Sequence, residues 1–175
     1  QLSTVNNQPI KKLYATTTLS ETFIYQIIPI LLRNHYDNLF DINIFNKLCK
    51  SITNIDLYVK QIIIKNYKLV NLLELKRFTN LIILDISSCK EITDITVLQH
   101  LTHLQSLNIN NCTEIPDITT LQHLTNLQSL RIINCNKITD ITALQHLTNL
   151  QSLDISLCTN ITDITALHHL TNLQS

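Results

Sequence analysis

The sequence predicts an α/β solenoid, with short parallel strands lining its concave side and a small helical module ahead of it. Two observations carry this. From residue 78 to residue 169 the chain repeats itself four times with a strict 23-residue period, and a fifth copy begins as LTNLQS. Within each copy the apolar spacing changes from two to three. Self-similarity at a period of 20–50 residues is the mark of one small unit stacked on its copies. All 175 residues lack glycine, so turns are expected from Asn, Asp and Ser.

Aligned on their apolar positions, the copies share one template, filled first by Leu81, Leu84, Ile86, Cys89, Ile92, Ile95, Leu98 and Leu101. Leu84 and Ile86 are two apart, so an extended segment turns both to one side and Ile83, Asp85 and Ser87 to the other. From Cys89 on, apolar residues come every third position, which suits a 3₁₀ turn or one short helix. Thr93 and Asp94 stand where a helix takes its N-cap acceptor. Each unit is therefore a strand, a turn and a helical return. One unit cannot bury its own apolar face, whereas a stack can, with parallel strands about 4.8 Å apart.

The template L-x-x-L-x-I-x-x-C resembles the leucine-rich repeat family, over roughly two thirds of the chain. The resemblance implies a parallel β ribbon on the concave side and a protein partner there. Val59, Ile62, Ile64, Tyr67, Val70, Leu73, Leu75 and Phe78 fit the template with one residue deleted. Residues 59–77 thus read as a degenerate first repeat, and residues 78–175 as four full units plus a truncated fifth. The last strand is expected to present an unpaired edge. The chain, lacking methionine and stopping mid-unit, reads as an excerpt of a longer array.

Composition narrows function. The formal net charge is zero, which provides no electrostatic footprint for nucleic acid or an anionic membrane. The longest apolar run, residues 23–32, contains Gln26 and Pro29 and falls short of the roughly 20 residues a membrane span needs. No signal peptide is evident. The expected setting is intracellular, in the cytoplasm.

Three ladders look chemical. Cys89, Cys112, Cys135 and Cys158 recur every 23 residues. Zinc frameworks use close pairs such as C-x-x-C, which the chain lacks. Parallel ladder cysteines would hold their Cβ atoms about 4.8 Å apart, outside the usual disulfide range. The family resemblance implies that this slot faces inward and bonds to neighbouring backbone. His100, His123, His146 and His169 end the returns, and Asp94, Asp117, Asp140 and Asp163 precede them. Duplication accounts for the histidines and capping for the aspartates. A catalytic site needs unlike groups converging on one cleft, whereas these lie in rows. No enzyme and no cofactor are expected.

The copies differ on the outward side of the strand. One slot holds Asp85, Asn108, Arg131 and Asp154; the slot two further on holds Ser87, Asn110, Ile133 and Ser156. The next holds Ser88, Asn111, Asn134 and Leu157. Either these positions meet a protein partner or they drift because they are exposed. The first reading makes Asp85, Asn108, Arg131 and Asp154 a binding stripe.

Residues 1–18 read as a polar, flexible lead-in. Residues 19–58 hold two amphipathic stretches: Leu19, Phe23, Ile24, Ile27, Ile28 and Leu31 at helical spacing, then DINIFNKLCKSI from Asp41 to Ile52. The pair is similar to an F-box, the helical module that docks on the Skp adaptor of cullin ubiquitin ligases. Asp41, Ile42, Phe45, Leu48, Cys49 and Lys50 match its closing motif in order, whereas Ser20 replaces the family's proline and Ile52 its tryptophan. The resemblance implies adaptor contacts from Leu19, Ile27, Ile28, Leu31, Leu48 and Cys49, with the concave ribbon selecting a substrate for the ligase. Two helices that simply cap the solenoid would have the same spacing. The L-T-N-L and I-T-D-I phrases are also similar to bacterial internalins, which implies a generic binding protein in place of a ligase adaptor.

Overall fold

The computed structural model describes residues 60–64 and 72–175. Five strands form one parallel sheet in sequential order: β1 (Gln61–Ile63), β2 (Ile83–Asp85), β3 (Ser106–Asn108), β4 (Ser129–Arg131) and β5 (Ser152–Asp154). Each pairs in register with the next, so Ile62, Leu84, Leu107, Leu130 and Leu153 form one row. After each strand comes a five-residue 3₁₀ helix: Leu73–Arg77, Thr96–His100, Thr119–His123, Thr142–His146 and Thr165–His169. This is the solenoid the repeats predict. Among the described residues every helical return is 3₁₀.

The spacing of three explains why. Leu98 N–H donates to Ile95 C=O, Leu101 to Leu98 and Leu104 to Leu101, each at 2.9 Å; Cys89 donates to Ile86 and Ile92 to Cys89 at 3.3 Å. The apolar period and the hydrogen-bond period coincide. Each buried residue takes its backbone partner from the previous buried residue, which is how irregular backbone is tolerated in a core. Leu84, Ile86, Cys89, Ile92, Ile95, Leu98 and Leu101 are all buried, as are their counterparts in the next two copies. Full burial of each such Leu or Ile contributes about 1.5–3 kcal/mol.

The first unit departs from the expected register. The structure buries Leu72, Leu75 and Phe78 and leaves Leu73 60% exposed. Leu75 N–H bonds to Leu72 C=O and Phe78 N–H to Leu75 C=O, so the spacing of three holds and the missing residue falls between Ile64 and Leu72. At the other end, Leu153 N–H donates to Ser175 C=O and Gln174 N–H to Gln151 C=O. The edge of β5 is thus partly paired, contrary to the unpaired edge expected.

The sharp turn after each of β2 to β5 needs a left-handed residue, and with no glycine present Ser88, Asn111, Asn134 and Leu157 supply it at φ of 66°, 59°, 56° and 61°. This corrects their expected place among the ribbon's outward positions: they are turn residues. Asn tolerates this conformation; for Leu it costs roughly 1–2 kcal/mol.

Residues 1–18 and 19–58, including the expected adaptor contacts Leu19, Ile27, Ile28, Leu31, Leu48 and Cys49, lie outside the described residues.

Candidate functional site

In each strand the middle residue points into the core and the flanking two point outward. The outward face carries Ile83 and Asp85, then Ser106 and Asn108, Ser129 and Arg131, Ser152 and Asp154. Ser87, Asn110, Ile133 and Ser156 follow two residues after the second of each pair. The structure therefore brings the expected stripe of Asp85, Asn108, Arg131 and Asp154 together on adjacent strands. Beside it runs the row of Ile83, turned outward as its spacing predicts, with Ser106, Ser129 and Ser152.

Much of this stripe serves the backbone. Asp85 Oδ1 accepts the Ser87 N–H at 2.9 Å, and Asn108 Oδ1 accepts the Asn110 N–H at 3.0 Å. Asp154 Oδ1 accepts both the Ser156 N–H at 3.1 Å and its hydroxyl at 2.6 Å. These are Asx turns, in which a short side chain satisfies the N–H two residues on. The Ser156 hydroxyl, then its N–H, hold the Asp154 carboxyl below the ordinary carboxylate range, with Arg131 adding least. Arg131 cannot accept a hydrogen bond. In its copy the Ile133 N–H goes instead to Asn110 Oδ1 of the preceding repeat, at 2.8 Å. The Arg131 guanidinium is left 51% exposed, with Asp154 Oδ2 at 3.9 Å.

The cysteines run as a ladder through the core. Each thiol donates to a carbonyl just past the strand of the preceding unit: Cys89 to Ile64 at 3.4 Å, Cys112 to Ile86 at 3.2 Å, Cys135 to Ile109 at 3.1 Å, and Cys158 to Ile132. All four are buried thiols outside any disulfide. Burial pushes the Cys112 thiol up to about 12 and the Cys135 thiol up to about 11, and raises Cys158 as well. A thiol so held is a hydrogen-bond donor and an inert nucleophile.

The aspartates before the returns do not sit at the N-cap. That position falls to Ile95, Ile118, Ile141 and Ile164, which make no side-chain cap bond. Asp94, Asp117, Asp140 and Asp163, one residue earlier, accept the first helical N–H from Thr96, Thr119, Thr142 and Thr165 at 2.7–2.8 Å. Thr93 makes no such bond, and its slot holds Pro116 in the next copy. Hydrogen bonds from Thr96, Thr142 and Thr165 depress the carboxyls of Asp94, Asp140 and Asp163. His100, His123, His146 and His169 are exposed. Among the described residues no three His, Cys, Asp or Glu side chains group as metal ligands, and no helix is long and apolar enough to cross a membrane.

A further ladder escaped the sequence reading. Asn126, Asn149 and Asn172 donate through Nδ2 to the carbonyls of Thr102, Thr125 and Thr148 in the preceding units, at 2.8–2.9 Å. His103 fills the same slot, its Nδ1 3.0 Å from the Thr79 carbonyl. The recurring L-T-N-L phrase was its signal.

Comparison with known proteins agrees with this geometry. Residues 79–123 and 102–146 match the family model described as Leucine Rich repeats (2 copies). Among solved structures, an internalin (InlF) from Listeria monocytogenes is similar with a TM-score of 0.64 and 32% identity, over 68% of this chain and 34% of that one. An internalin C2 (InlC2) from the same organism matches with a TM-score of 0.43 and 29% identity, over 62% of this chain and 56% of that one. The chain thus spans about a third of the first internalin's length and over half of the second's. No curated protein matches.

Proposed function

We propose that this leucine-rich-repeat chain is a non-enzymatic protein-binding module of the internalin kind, whose concave ribbon is the docking face. The observation that carries the reading is where the copies differ. Core slots are filled alike from unit to unit, while the outward slots change from Asn108 to Arg131 to Asp154. The absence of convergence supports binding over catalysis: the ladders that begin at Cys89, Asp94 and His100 stand in rows, one member of each per unit. The buried, protonated thiols fit a reducing, intracellular setting.

The test is affinity for a protein captured on the full chain and identified by mass spectrometry. Arg131→Asp combined with Asp154→Lys should weaken that affinity, whereas Gln122→Lys on the helical return should not. Unchanged affinity in the double variant would end the ribbon reading.

The ligase-adaptor reading is the weaker of the two. It rests on the sequence of residues 19–52 alone, while the internalin likeness extends over 68% of the chain. Retention of the full chain by a purified Skp adaptor, lost on Ile28→Asp with Leu48→Asp, would reinstate it. The expected result is no retention.

A further inference from the structure

We propose that Arg131 and Ile133 form the specificity-determining patch of the ribbon, and that its occupant is a protein segment presenting one carboxylate beside an aliphatic side chain. This rests on the ribbon reading above. Three of the four copies spend their Asp or Asn on their own backbone, through Asp85, Asn108 and Asp154. The third copy gives up that bond for a cation. Its orphaned Ile133 N–H is rescued by Asn110 from the neighbouring unit, so the fold tolerates the exchange without needing it.

Arg131 is also the one cation among the outward-facing residues of the five strands. Asp154 holds it loosely, at 3.9 Å, and is itself bound first to Ser156. The guanidinium fork is free to take a carboxylate through two parallel hydrogen bonds. Two residues on, Ile133 places an aliphatic side chain where the other copies have Ser87, Asn110 and Ser156. Partial exposure of Ile133 leaves apolar area for a partner to cover. Asn108 and Asp154 flank the cation, and Asp85 stands one strand beyond Asn108, so a polyanion would be repelled where a single carboxylate is accepted.

Random peptides displayed on phage and selected on the full chain provide the test. The expected peptides pair Asp or Glu with a neighbouring Leu, Ile or Val. Synthetic copies should bind Arg131→Asn or Ile133→Ser about tenfold or more weakly. Both substitutions restore residue types used by sibling copies, so the fold is retained, as circular dichroism would check. Enrichment without acidic bias, no enrichment, or equal binding to Arg131→Asn would each overturn the inference. In the last case Ser106→Arg separates the two readings. Binding lost there leaves the ribbon as docking face and removes only the patch; binding kept there removes both.

Discussion

Asn110 Oδ1 accepts the backbone N–H of Ile133 at 2.8 Å, across 23 residues. This bond does for the third copy what Asp85, Asn108 and Asp154 do within their own. Asn110→Ala should therefore lower stability by about 1–2 kcal/mol, the usual result of stranding a half-buried N–H. In an Arg131→Asn background the loss should shrink, because the third copy regains its own acceptor. Urea unfolding of the four species gives the coupling, and strictly additive losses would contradict this account.

The thiol ladder makes stability fall at alkaline pH. Against an ordinary thiol value of 9.0, burial raises Cys112 to about 12 and Cys135 to about 11. The folded state binds the proton more tightly than the unfolded one. Its contribution is whole below pH 9 and is lost as pH rises toward 11–12. Urea midpoints should decline over that window, with a flatter decline in Cys112→Ala/Cys135→Ala.

At acid pH the opposite holds. Hydrogen bonds to Thr96, Thr142 and Thr165 depress Asp94, Asp140 and Asp163 below the ordinary value of 3.8. Their stabilisation is present above that value and disappears as pH falls through the folded values. Asp140→Asn keeps a neutral acceptor for the Thr142 N–H but loses the carboxylate's advantage, so it should lower the neutral-pH urea midpoint slightly and flatten its acid limb.

Leu157 adopts a φ of 61° where its siblings use Ser88, Asn111 and Asn134. Leu157→Asn relieves that strain and should stabilise the chain by about 1 kcal/mol, read as a higher urea midpoint. A lower midpoint would mean that the Leu157 side chain packs in a way that outweighs the strain.

The solenoid was legible because one spacing sets two things. Residues three apart share the core and share the 3₁₀ hydrogen bond, so Ile95, Leu98 and Leu101 specify both burial and backbone path. Leu72 and Leu73 defeated the same logic: adjacent leucines in a degenerate unit leave the register open until neighbours fill it. The left-handed turn was hidden because no glycine marks it. The double duty of Asp85, Asn108 and Asp154 was readable in principle, since an Asx residue two before a turn N–H is a local signal. The rescue of Ile133 by Asn110 was not, because it joins residues a full repeat apart.

Placing a photo-crosslinking amino acid at Ser129 on the ribbon, and separately at Gln122 on the return, tests the central claim most directly. With a selected peptide or captured protein bound to the full chain, the account predicts a crosslink from position 129 and none from position 122. A crosslink from 122 alone would put the partner on the helical side and contradict the ribbon as docking face.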